Sequence, residues 1–77
     1  MDDLLREVHE ARRLPPPATA REIRRAAGLT QPQVATELGV HRVTLARWEL
    51  GTRSPRGPLR LRYAKLLSDL QREVLSW

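Results

Sequence analysis

The sequence contains no cysteine, no phenylalanine and only two histidines, His9 and His41. Without cysteine there is neither a disulfide framework nor a thiolate metal site, and the two histidines make no recognisable ligand spacing. No metal or other cofactor is therefore expected. Long apolar runs are also missing, since nothing approaches the roughly 20 residues of a membrane-spanning helix. The first residues, Met1-Asp2-Asp3-Leu4-Leu5-Arg6, are acidic and charged at helical spacing, so a cytoplasmic location and no membrane partner are expected. There is no glycine-rich phosphate loop, and the few serines, histidines and acids fall into no nucleophile–base spacing. With 77 residues for one compact domain, a deep cleft is out of reach, which argues against an enzyme and against a small-molecule ligand. Aromatic side chains are limited to Trp48, Tyr63 and Trp77, too few to stack a run of RNA bases.

What the chain has in abundance is arginine. Thirteen of its 14 basic residues are Arg and the net charge is +5. The charge is uneven: residues 1–18 and 66–77 each sum to −1, whereas residues 19–65 sum to +7. A basic middle between near-neutral ends is the footprint of a phosphate-binding face, because each phosphate neutralised releases counterions. Guanidinium groups suit bidentate contact with phosphate and guanine.

Between its glycines and prolines the chain places apolar residues three and four apart, and no stretch alternates long enough to make a strand. An all-α fold follows. A first helix is expected over residues 3–13, with Leu4, Leu5, Val8 and Ala11 on one stripe and its charges matched to the helix dipole. Pro15-Pro16-Pro17 stops it and forms a stiff spacer, giving an appended segment, 1–18, and a main domain, 19–77. Thr19 and Glu22 form a capping box for the next helix, which turns Ile23, Ala26 and Ala27 inward and ends at Gly28. Thr30 and Gln33 repeat the device, with Pro32 harmless in the first turn and Val34, Ala35 and Leu38 buried. Gly39 closes that helix in the left-handed conformation, and another spans 41–50 before Gly51. A basic loop, 52–56, leads through Gly57-Pro58 into a last helix reaching about residue 75.

Two short helices joined by Gly39-Val40 cannot each bury a face alone, so they pack on one another as a helix-turn-helix, with Ala35 small at the close approach and Val40, Leu45 and Trp48 between them. The pattern Arg21-x-Ile23-Arg24-x-x-x-Gly28-Leu29-Thr30-Gln31-x-x-Val34-Ala35-x-x-Leu38-Gly39-Val40, followed by Trp48-Glu49-x-Gly51-x-x-x-Pro55, resembles the lambda-repressor/Cro type of helix-turn-helix protein, the XRE family. The resemblance spans about residues 20–67 and implies a helical bundle that binds duplex DNA as a sequence-specific transcriptional regulator, on the pattern of phage repressors, Cro-like proteins or excision-control proteins. A minority of the family are antitoxins, so a protein-interaction module that neutralises a partner is the competing expectation. At His41 the family has Ser or Thr as the helix N-cap; histidine caps poorly, which frees its ring for a phosphate.

With Leu45 and Trp48 pointing inward, 100° per residue puts Val43, Ala46, Arg47 and Leu50 on the opposite side and Arg42 at the leading end. Arg42, Val43, Ala46 and Arg47 are the candidate base-reading residues: arginine can hold guanine O6 and N7, and Val43 or Ala46 can touch a thymine methyl. The family's base-contacting positions match Arg42, Val43 and Arg47. The family's phosphate-binding position at the start of the preceding helix matches Gln31. His41, Thr44, Arg53 and Arg56 complete the candidate phosphate contacts, while Arg21 carries no comparably clear assignment. The resemblance further implies a buried salt bridge between Arg24 and Glu49. Finally, Leu59, Tyr63, Leu66, Leu70 and Val74, broadened by Leu67 and Trp77, form a stripe past the usual end of the domain; it must be covered by the first helix or by a second subunit. A homodimer through the C-terminal helix, on a pseudo-palindromic site, is the expectation.

Overall fold

The computed structural model describes residues 3–5 and 14–76, and every regular element within them is an α-helix. Four helices follow one another: α1 (Pro17–Ala26), α2 (Gln31–Leu38), α3 (Arg42–Leu50) and α4 (Gly57–Ser76). Residues 3–5 are also helical; the rest of the helix expected over 3–13 lies outside the described residues, as does Trp77.

α1 begins three residues before the position that the Thr19–Glu22 spacing implied, with Pro16 rather than Thr19 as N-cap. Pro16 is its N-cap, at φ −55° and ψ 152°, with no side-chain cap, and Pro17 is its first residue. A proline there has its φ already fixed at a helical value, and its missing N–H would have had no partner in the first turn. Proline chemistry thus overrides the capping box, and Thr19 falls inside the helix. Pro17 is accordingly part of α1 rather than of a spacer, and Leu14 packs against the core. The buried stripe of α1 is Ala20, Ile23 and Arg24. Ala26, expected inward, is exposed and Ala27 half-buried, because at 100° per residue position 26 lies about 110° from the centre of that stripe.

α2 starts as its sequence dictates. The Gln33 N–H donates to Thr30 Oγ1 at 3.3 Å and the Thr30 N–H donates to Gln33 Oε1 at 2.8 Å, the reciprocal pair of a capping box. Val34, Ala35 and Leu38 are buried. The chain then reverses at Gly39, whose φ of 72° lies where a β-carbon is strained; the Val40 N–H donates to the Ala35 carbonyl at 2.9 Å across the turn. This turn throws α3 across α2, and α3 packs on α1 as well.

α4 runs against α1 and α2 and contributes Tyr63, Ala64 and Leu67 to the core. Leu45 of α3 is wholly buried in that core, a burial that stabilises by about 1.5–3 kcal/mol. The rings of Trp48 and Tyr63 meet at 5.1 Å between centroids and 41° between planes, within the range of favourable aromatic pairs. The C-terminal stripe therefore divides: Tyr63 and Leu67 are consumed by the core, Leu59, Leu66 and Leu70 pack at its edge, and Val74 is half-buried. Among the described residues no helix is long and apolar enough to cross a membrane.

Candidate nucleic-acid interface

α3 is short, and each of its sides meets a different environment. Leu45, Trp48 and Glu49 face the core. Arg42, Val43 and Arg47 are exposed on the other side, with Val43 37% exposed and Ala46 half-buried beside them. Leu50, 72% exposed, ends the same surface. The four expected base-reading residues are thus together on one helix face, though Ala46 lies partly behind its neighbours.

The start of α3 corrects the expectation that histidine would fail as a cap. His41 is the N-cap, in extended conformation at φ −72° and ψ 145°, and its Nδ1 accepts the Val43 N–H at 3.1 Å. A ring nitrogen that accepts carries no proton, so the neutral ring bears its hydrogen on Nε2. The side chain is exposed, and the Nε2–H remains a donor at the same end of the helix. Thr44 is half-buried one turn along.

A buried polar network fixes α3 to α1. The Arg24 Nε donates to Glu49 Oε2 at 2.7 Å and its NH2 donates to Oε1 at 2.9 Å, the two-pronged geometry of a strong arginine–carboxylate pair. The Arg24 NH1 donates to the Leu29 carbonyl at 2.8 Å, which secures the loop between α1 and α2. The salt bridge implied by the resemblance is therefore present. Burial alone would push the Glu49 pKa up, but hydrogen bonds from Arg24 and Gln31 outweigh it and hold the carboxyl below its ordinary value. The Arg24 guanidinium is raised, first by its hydrogen bond to Glu49, against the cost of burial. Gln31 continues the network outward: its Nε2 donates to Glu49 Oε1 at 3.0 Å, and its Oε1 accepts Arg42 NH1 at 3.2 Å. One amide hydrogen of Gln31 is left for another acceptor.

Nearby, Tyr63 is orphaned. Its hydroxyl is buried and has no hydrogen-bond partner among the described residues, and burial, helped by the Glu49 charge, pushes its pKa up to about 12.

Two grooves flank α3. One is lined by Gln31, Arg42, Ala46 and Leu50 together with Arg21 and Arg25 of α1. The other is formed by Trp48 and the loop from Gly51 to Arg56, and includes Arg53 and Arg56, both exposed. The expected phosphate contacts are therefore split, Gln31 on one flank and Arg53 and Arg56 on the other. Arg25 does not stand out in the sequence because it reads as one more surface arginine; the available signal was its i, i+4 spacing from Arg21, beside an Arg24 turned inward.

A family model described as helix-turn-helix matches residues 21–70. The chain belongs to the lambda-repressor/Cro-like helix-turn-helix family. The match covers α1 from Arg21, all of α2 and α3, and α4 as far as Leu70, so every residue of the network and both flanking grooves' arginines lie within it. A DNA-binding regulatory role comes with that membership. Comparison with curated proteins and with solved structures gives no match.

Proposed function

We propose that this helix-turn-helix protein is a sequence-specific transcriptional regulator that places α3 in the DNA major groove and acts in the cytoplasm as a Cro-like or excision-control factor. The observation that carries this reading is the exposed face of Arg42, Val43 and Arg47 on a helix whose opposite face is locked into the core. Two arginines offer donors to guanine, and Val43 and Ala46 offer methyl-sized contacts to thymine. Gln31, His41, Thr44, Arg53 and Arg56 hold the sugar–phosphate backbones and set the register.

A single nine-residue helix spans only a few base pairs, so a two-fold pair of subunits on half-sites about one turn apart is the arrangement that gives a useful specificity. Leu66, Leu70 and Val74, only half-buried, and Leu75, 80% exposed, supply an apolar edge on α4 for that pairing. Selection of bound fragments from random duplex DNA tests the whole reading. A recurrent motif, repeated as an inverted pair, is the expected outcome; recovery of unrelated sequences contradicts it. Sedimentation of the wild type and of Leu70→Glu tests the pairing separately.

A further inference from the structure

We propose that Arg21 and Arg25 of α1 form a second backbone clamp, binding DNA phosphodiesters on the flank of α3 opposite to Arg53 and Arg56. The inference rests on α3 being the reading helix and extends the contact surface to an element outside the helix-turn-helix pair.

An α-helix with its side chains is about 10–12 Å across, and the major groove of B-DNA is about 12 Å wide. A helix seated there fills the groove, and the two sugar–phosphate backbones that form the groove's walls run along its two sides. At 100° per residue Arg42, Ala46 and Leu50 lie on one side of α3, and Thr44 and Gly51, where the 52–56 loop departs, lie about 100–180° away on the other. The loop side already presents Arg53 and Arg56. The side of Arg42 and Ala46 opens into the groove whose far wall is Arg21 and Arg25.

Charge points the same way. Arg21 and Arg25 are both exposed, and no hydrogen bond or ion pair with another described residue engages either guanidinium. They stand one helical turn apart and so share a face of α1. Glu49, the acid at the floor of this groove, is neutralised by its two bonds from Arg24 and a third from Gln31, and Arg21 adds a favourable field at its carboxylate. Two exposed cations above a neutralised floor favour an anion, and the anion that a seated α3 delivers to this flank is the DNA backbone. The polar group of Gln31, at the same groove, then marks where the phosphate row begins.

The test is the salt dependence of duplex binding for wild type, Arg21→Ala, Arg25→Ala, the double variant, Arg53→Ala as the reference clamp and Lys65→Ala, exposed on α4, as the control. Removing one arginine–phosphate pair should flatten the slope of log K against log salt by about 0.9. Arg21→Ala and Arg25→Ala are expected each to flatten it by about that amount and the double variant by about twice that. Selected and random duplexes should weaken in parallel, while Lys65→Ala leaves the slope unchanged. Unchanged slopes for the α1 variants beside a flattened Arg53→Ala would overturn the clamp and leave α3 as the reader. Weakening confined to the selected duplex would overturn it too, by making these arginines base contacts. If the wild type itself shows no preference between selected and random duplexes, the reading of α3 fails, whatever the α1 variants do.

Discussion

The buried arginine of this domain and its exposed arginines meet opposite surroundings. Arg24 and Arg42 belong to the same hydrogen-bonded chain, through Glu49 and Gln31, yet Arg24 is 8% exposed and Arg42 is open to solvent. Buried, the guanidinium must have its charge met and its donors used, and Arg24 satisfies this with a carboxylate and a backbone carbonyl. Exposed, a guanidinium loses little by lacking an acid partner and keeps its donors for a ligand. Position relative to the core therefore decides whether an arginine of this chain holds the fold or stays open to a ligand, and under the proposed function substitutions should separate the two roles.

The largest effect is expected at the buried end. Glu49→Ala leaves Arg24 charged and unpaired, which should cost about 3–5 kcal/mol of folding stability by urea unfolding. The pair also has a pH signature. Because the Glu49 carboxyl is held below its ordinary value, its contribution is complete above the unfolded carboxylate's pKa of about 4.3 and is lost as pH falls through the lower folded value. Glu49→Gln should remove that part of the acid dependence, and a variant with the wild-type profile would show that another group carries it.

At the exposed end, Arg42→Ala or Arg47→Ala should leave the unfolding midpoint within error. Each should weaken binding to the selected duplex by about 1–3 kcal/mol and relax the preference at one base pair. Loss of stability instead would erase the contrast between inside and outside. A smaller effect, of opposite sign, is expected where a buried polar group has no partner among the described residues. Tyr63→Phe removes an unsatisfied hydroxyl and should be neutral or stabilise by about 1 kcal/mol in thermal unfolding, whereas a clear destabilisation would reveal a partner for it. Smallest is Arg53→Ala, which should weaken selected and random duplexes alike with no change in stability.

The contrast was only partly legible in the sequence. The order of helices 17–76, the Thr30–Gln33 cap, the turn at Gly39 and the inward face of α3 followed from periodicity and from the chemistry of glycine and of capping residues. The start of α1 did not, because a T-x-x-E spacing and a proline at N1 are competing start signals and only the fixed φ of Pro17 decides between them. Residue type alone misjudges His41, although a ring nitrogen two residues before a free N–H can do what a hydroxyl does. The Arg24–Glu49 pair was legible through family resemblance and not from spacing, since the partners stand 25 residues apart. The role of Gln31 between Glu49 and Arg42 required coordinates, as did the groove shared by Arg21 and Arg25.

We propose that the exposed face of α3 reads base edges while its buried face only carries it. The most direct test compares duplex binding by wild type and Arg47→Ala on a selected site and on the set of its single base-pair variants. The wild type should lose about 1–3 kcal/mol at one defined base pair when that pair is changed, and Arg47→Ala, equally stable, should be indifferent to the change at that pair alone. An Arg47→Ala protein that weakens on every duplex by the same factor and keeps the wild-type preference at each pair would contradict the claim.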